Sequence, residues 1–513
     1  MNFDPDAYAA GDVQSFHQMY PVLAKLGQSS PGALADCESA LEMARRFRRE
    51  VIERNALAIE RKVARDPSYV AEDVVTAACR ENWFTLMLPK VFGGQGVSFG
   101  ALTVAFEEIA AGCLGLANLI GVHGLALSTL AATGDLPRME RIARRLVDSE
   151  KRLAPLLLST AITEPGAGTD VEDIELLPDA RLTCEAKPVR GGYRLNGRKV
   201  FISNGSIATT HVVIMPTDKK KPVATTFAFL VDAGTPGLSI GRIERKMGQK
   251  ACPAAELVFE DCFIPEAARV SSAPLPGKSI DLVLGSTRGS VCAFGAGVAR
   301  GAFERALTYA KTEKMGGRWL IDQQWVQFKL ADMHRNVMQA RAAYVECLIA
   351  NELFGMASFA SGGKAAELSR YIPRRVLDAP LVQRAVTSPR ARENAQANIQ
   401  RLPDWQVHTS SAFGAAAKVT GTDLGMQNCH LALDIFGADG LRHDRGIEKL
   451  FRDAKLLQIY EGTNQLNRLE VFKCAVMHGR GSIRSTPLSA PRAERPQLGA
   501  ATSSLKATER AES

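Results

Sequence analysis

Arg452-Asp453-Ala454-Lys455-Leu456-Leu457-Gln458-Ile459-Tyr460-Glu461-Gly462-Thr463-Asn464-Gln465-Leu466 is the stretch whose reading organises the chain. Leu456, Leu457 and Tyr460 recur at helical spacing, and Gly462 can take the left-handed backbone that ends a helix. Thr463 is placed to cap a second helix through Leu466, Leu469 and Phe472. The pattern therefore predicts two helices meeting at an elbow, with Glu461 at the break. A carboxylate there can project into a cavity, or it can be a solvated side chain at an ordinary helix end. The residues around it decide between these.

Upstream of the elbow, Ser410 to Ile435 keeps helical periodicity, as do Gln323 to Phe354 and Ser290 to Lys311. A polar segment rich in Arg, Pro and Ser, about 358–408, interrupts them. Before these, from about 158 to 272, the texture is that of strands. Val212–Met215, Thr226–Val231 and Glu256–Phe259 are short apolar runs between Gly, Pro and Asp turns. Asn196-Gly197 lies between two more such runs and reads as a hairpin signal. Residues 36–157 are helical in pattern, with a charged amphipathic run to about Arg65, another from Val74 to Leu88, and an apolar pair from Ala101 to Leu130 broken near Gly112–Gly115. His123 in that pair reads as a core or interface histidine rather than a ligand. Residues 1–35 read as an irregular extension, and 481–513 as a disordered tail rich in Ser, Pro, Ala and Arg.

Composition narrows the function. The 513 residues are 46% hydrophobic and 23% charged, ordinary for a soluble enzyme. A net charge of +8 spread along the chain suits an anionic substrate better than nucleic acid. Ten cysteines without CxxC or Cys/His clustering indicate neither metal site nor disulfide framework, and the cytoplasm is the expected compartment. The start carries no secretory signal pattern, and no apolar run reads as long enough to span a membrane.

The expected fold is α+β and multidomain: a helical N-terminal domain, a β-barrel-like middle domain (158–272) and a C-terminal four-helix bundle (273–480). Within that order stand Thr163-Glu164-Pro165-Gly166-Ala167-Gly168-Thr169-Asp170, Phe201-Ile202-Ser203-Asn204-Gly205, Lys246-Met247-Gly248-Gln249, Phe259-Glu260-Asp261 with Ile264-Pro265, and the elbow itself. Over about residues 70–478 the chain resembles the acyl-CoA dehydrogenases, flavoproteins that introduce a Cα–Cβ double bond into an acyl-CoA thioester. The resemblance implies FAD as cofactor, Glu461 as the base that removes the α-proton, and hydride transfer from Cβ to flavin N5. It implies cofactor contacts from Ile162, Thr163, Gly168, Phe201, Ile202, Ser203, Gln324, Gly437, Thr463 and Gln465. Thr169, Thr287 and Arg288 match positions bordering the acyl-CoA. A homodimer or homotetramer and an electron-transfer flavoprotein as acceptor are further implications, and no metal is expected. Two positions depart from the family pattern: Glu313 and Asp434 stand where an Arg and a Gln usually serve the FAD diphosphate of a neighbouring subunit. These leave open a non-catalytic protein of the same fold, used for binding or assembly, and a flavin enzyme of that fold acting on an unusual thioester. The arginines of 358–408 are a candidate source of compensating positive charge.

Overall fold

The computed structural model describes residues 16–20, 22–23, 31–271, 273–275, 277–356, 358 and 372–477. Most of the N-terminal extension and all of the 481–513 tail lie outside these residues. After a single helical turn at Phe16–Met19, with Tyr20 following it, comes α1 (Pro31–Phe47), which continues through a π-helical turn at Arg48–Glu53 into α2 (Arg54–Arg65). Next comes α3 (Glu72–Arg80), shorter than the run to Leu88 expected from the sequence, because Asn82 adopts φ +58° and breaks the helix. Then follow α4 (Phe99–Gly112), α5 (Leu114–Ala131) and α6 (Leu136–Lys151). Ser98 caps α4, its side chain accepting from the Ala101 N–H. The buried pair expected from the sequence is α4 and α5, broken at Cys113, and His123 is buried within it.

Two sheets form the middle region. One has three strands in the order β1 (Leu158–Ala161), β4 (Thr210–Pro216), β5 (Thr226–Asp232). The other has four, in the order β2 (Glu185–Val189), β3 (Gly192–Ser203), β7 (Ala254–Pro265), β6 (Leu238–Ile243). Their facing side chains, among them Leu195, Val213, Phe229, Leu257 and Phe259, make one apolar core. The Asn196-Gly197 hairpin expectation fails. β3 runs straight through both residues, and the turn to β2 lies at Arg190-Gly191. Gly197 instead sits at a register shift with φ +121°, where a Cβ would stand 2.7 Å from Cys184. The glycine serves close packing and a bulge, not a turn.

The C-terminal bundle is built on α7 (Lys278–Thr312) and α8 (Gln324–Phe354). After the polar segment, with α9 (Pro380–Val386) and α10 (Pro389–Arg401), it adds α11 (Asp404–Phe436), α12 (Ile447–Leu457) and α13 (Asn464–Val471). The α7, α8 and α11 helices pack along one another, and α13 closes the fourth side against α11. α5 and α7 are long and apolar enough to cross a membrane, contrary to the sequence expectation, yet 72% and 94% of their apolar windows are buried inside the protein. Both are core helices.

The segment 374–403 lies on the N-terminal helices. Gln383 Nε2 donates to the Val91 carbonyl at 2.8 Å, Arg374 donates to the Gly93 carbonyl, and Arg392 lies 3.6 Å from Asp135. Asp434 has its own partner, Lys329 at 2.7 Å. Within one chain, those two arginines therefore have partners other than the departures at 313 and 434. Arg370 lies outside the described residues.

Candidate active site

The elbow forms as its sequence predicts. α12 ends at Leu457, Gly462 is left-handed at φ +76°, and the Thr463 side chain accepts from the Leu466 N–H to cap α13. Glu461 is left-handed too, at φ +56°, a costly conformation for a residue with a Cβ. Neighbours hold it there. Lys418, fully buried on α11, donates to the Gly462 carbonyl and to Asn464 Oδ1, each at 2.7 Å. Arg288 Nε donates to the Glu461 carbonyl at 3.2 Å, and Asn467 Nδ2 donates to the Gly462 carbonyl at 2.9 Å.

The Glu461 carboxyl opens into a cavity enclosed by α4, α5, α7, β1, β3 and the elbow. Its Oε2 meets Thr287 Oγ1 at 2.7 Å. Burial raises its proton affinity above that of an ordinary glutamate, and the Thr287 hydrogen bond, Arg288 and Lys418 only partly oppose this. Lys418 is pushed the other way by burial, down to about 7.

Elsewhere on the cavity wall the Gly-rich turn is fixed by its own acidic residues. Glu164 is buried, 3.0 Å from Lys199, and accepts from the Thr183 and Cys184 N–H groups at 2.6 and 2.9 Å. Asp170 Oδ1 accepts from the Gly168 N–H at 2.7 Å. Lys199 also donates to the Ile162 carbonyl at 2.7 Å, and Val200 N–H to the Thr163 carbonyl at 2.9 Å, so the turn is stitched to β3. A register shift between Lys199 and Ile202 then places Phe201 at φ +58°. The bulge turns its ring out of the sheet onto the cavity rim, where it is 59% exposed.

A latch ties this wall to the elbow. Gln249 Nε2 donates to the Asp453 carbonyl at 2.9 Å, and Asn118 Nδ2 to Gln249 Oε1 at 3.0 Å, joining all three regions. Gly248 packs so closely that a Cβ would stand 2.2 Å from the Arg452 carbonyl oxygen. The Lys246–Gln249 and Arg452-Asp453 motifs therefore act through structure.

Of the site residues expected from sequence, Ile162, Thr163, Phe201, Ile202, Ser203, Thr287 and Glu461 line one cavity. Arg288 stands behind Glu461, Thr463 caps α13, and Gly168 and Thr169 belong to the turn. Gln465 is exposed on α13. Gln324 and Gly437 are exposed at the far end of the bundle, apart from the cavity lining. Sequence reasoning missed Lys418, Thr160 and Glu172. Thr160 Oγ1, on the cavity wall, is buried without a hydrogen-bond partner among the described residues. An unpaired hydroxyl, the Ser203 wall and an exposed aromatic rim suit a planar, polar-edged ring such as a flavin.

Sequence profiles of the acyl-CoA dehydrogenase N-terminal, middle and C-terminal domains match residues 35–150, 159–262, and 278–352 with 374–475. The chain is 29% identical over 388 residues to cyclohex-1-ene-1-carbonyl-CoA dehydrogenase of Syntrophus aciditrophicus, covering 75% of this chain and 77% of that one. Butyryl-CoA dehydrogenase from Megasphaera elsdenii superposes with a TM-score of 0.65 at 23% identity, over 86% of this chain and 98% of that one. PigA with FAD and proline superposes at 0.66 and 20% identity, over 87% and 98%. With all three domain profiles matched in order, the chain belongs to the acyl-CoA dehydrogenase family, FAD-dependent oxidoreductases with CoA-thioester substrates.

Proposed function

We propose that this protein dehydrogenates an acyl-CoA thioester between Cα and Cβ, with Glu461 as the base that takes the α-proton. The observation that carries the reading is the Glu461 carboxyl, raised in basicity by burial, facing a largely apolar cavity and hydrogen-bonded to the Thr287 hydroxyl. A base matched to a weakly acidic α-proton needs this environment.

Thr287 serves both protonation states. Its one hydrogen can go to the Glu461 carboxylate, or to the Val283 carbonyl at 3.0 Å while the oxygen accepts from a protonated Glu461. Rotation of one hydroxyl thus accompanies arrival of the substrate proton. Arg288 and Lys418 hold the elbow backbone and keep the carboxyl aimed into the cavity. Ile162, Thr163, Gly168, Phe201, Ile202 and Ser203 would hold the flavin ring, with Thr463 and Gln465 beyond the base and Thr169 toward the CoA. Bound FAD supplies the acceptor for the hydride that leaves Cβ.

Gln324 and Gly437, remote from this cavity, fit a cofactor contact made across an interface between copies of the chain. A homodimer or homotetramer is part of the proposal for that reason. An electron-transfer flavoprotein as acceptor follows from family membership, and the ten free thiols suit a cytoplasmic setting. The non-catalytic reading rests on Glu313 and Asp434, and the Lys329 partner of Asp434 weakens it. Anaerobic addition of a panel of acyl-CoA thioesters to the FAD-loaded protein tests the proposal, since a substrate bleaches the flavin absorbance. A panel that leaves the colour unchanged throughout would favour the non-catalytic reading.

A further inference from the structure

Glu172 has no role in the reading above, and its position is unusual for a carboxylate. It ends the short turn Thr169–Glu172 after the Gly-rich loop, lines the cavity into which Glu461 opens, and has a side chain only 14% exposed. Its Oε2 is buried with no hydrogen bond of good geometry among the described residues, although the Gly462 N–H faces Glu172 and partly offsets the effect of burial. That oxygen lies against the elbow, for a Cβ added at Gly462 would stand 3.0 Å from it. Arg288 spans the two carboxylate-bearing elements: Nε holds the Glu461 carbonyl, while Nη2 lies 3.8 Å from Glu172 Oε2. This is too long for a hydrogen bond and short enough for strong attraction.

The charged groups facing Glu172 are Arg288 from α7, Lys418 from α11 and Glu461 from the elbow. Burial pushes Glu172 up to about 7, with Arg288 opposing and Glu461 adding to the rise. Two neighbouring acids are occupied elsewhere, and a third also faces Arg288. Asp173 and Glu175 lie 2.8 and 2.6 Å from Lys473, while Asp281 faces Glu470, Arg288, Asp173 and Lys473. Three carboxyls thus face one guanidinium; burial holds Asp281 protonated up to about 8, which leaves Glu172 and Glu461 as the pair that competes for Arg288, and a buried pair of this kind titrates as a unit.

We propose that Glu172 is a positioning residue for the base: it draws on the charge of Arg288 that would otherwise be spent on Glu461, and so keeps Glu461 a stronger base. The inference rests on Glu461 being that base. The turn carrying Glu172 also carries Gly168 and Thr169, so the same element would hold the ligands and set the basicity of the group that acts on them.

The test is the pH dependence of kcat/KM for the FAD-loaded parent, Glu172→Gln and Glu461→Gln. Removing the competing carboxylate leaves Arg288 to Glu461 alone, so the acidic limb of the Glu172→Gln profile moves to lower pH. A shift of about half a pH unit, or roughly threefold higher relative rate on the acid side, is expected. A limb that coincides with the parent's overturns the proposal. If Glu172→Gln fails to hold FAD, Glu172→Asp, which withdraws the carboxylate from Arg288, replaces it, with the same displacement expected and the same coincidence decisive. Glu461→Gln separates the two claims. Parent-like turnover by that variant would overturn the base reading and this inference together, whereas an inactive Glu461→Gln beside an unmoved Glu172→Gln limb overturns this inference alone.

Discussion

At the scale of single residues, the site is a balance of opposing effects on one carboxyl. Burial makes Glu461 more basic, and the Thr287 hydroxyl, Arg288 and Lys418 restrain it. Thr287→Val keeps the shape and removes the only side-chain hydrogen bond made to the carboxyl among the described residues. The loss raises the proton affinity of Glu461 further, so the acidic limb of its pH–rate profile should move to higher pH, opposite to the displacement expected for Glu172→Gln. Turnover at neutral pH should fall on the order of tenfold, consistent with one hydrogen bond to a charged group. A pH profile superimposable on the parent's would show that the hydroxyl does not tune the base. Thr463, Gly462 and Glu461 were legible in the sequence because capping and helix termination leave local signatures. Lys418 and Glu172 were not, because one sits mid-helix and the other in a turn. Their roles come from what the fold brings beside them.

At the scale of elements, the sequence showed where strands and helices occur better than how they join. Asn196-Gly197 has the composition of a hairpin turn, yet the register that pairs β3 with both β2 and β7 runs through it, and the glycine is spent on close approach to Cys184. The second irregularity in β3, at Lys199–Ile202, left no mark in composition, although it is what sends Phe201 to the cavity rim. In the segment 358–408 the polar character is visible in sequence, but α9 and α10 and their docking on Val91 and Asp135 emerge only in the fold. The latch between Lys246–Gln249 and α12 is the element-level feature most open to test. Gly248→Ala places a methyl group 2.2 Å from the Arg452 carbonyl oxygen, and the facing backbone cannot rotate away. A loss of about 1–3 kcal/mol is expected from such overpacking. Thermal unfolding should report it as a lower Tm, with FAD retention falling in parallel because the elbow shifts. An unchanged Tm would mean that the two segments are not held together as described.

At the scale of the whole molecule, the helical regions are joined by a buried ion network. Glu107 on α4 is fully buried between Arg300 of α7 at 3.1 Å and Arg341 of α8 at 2.7 Å, with the Tyr344 and Tyr20 hydroxyls at 2.6 and 2.9 Å. Glu304 on α7 pairs with Arg48 and Arg300. These partners hold both carboxyls down to about 2 despite burial. Their folded-state affinity for protons is therefore below the unfolded value near 4.5. The associated stability is present at neutral pH and is lost as pH falls from about 4.5 towards 2. Glu107→Gln takes the paired carboxylate from buried Arg341, while Arg300 keeps Glu108 and Glu304, and should cost about 3–5 kcal/mol. Denaturant titration at pH 7 and at pH 3 checks this: the deficit should narrow at the lower pH, and an equal deficit at both would contradict the ionic account. The network holds α4, α7 and α8 in place, and α7 in turn carries Thr287 and Arg288 to the elbow. The central claim is that this scaffold aims Glu461 at the α-proton of a CoA thioester. Its most direct test is anaerobic mixing of the FAD-loaded protein with an acyl-CoA that bleaches the parent, followed at the flavin absorbance for parent and Glu461→Gln side by side. The account predicts that Glu461→Gln keeps its FAD and binds the thioester but reduces the flavin at least a hundredfold more slowly, on the scale of general-base catalysis; flavin reduction at the parent's rate would contradict it.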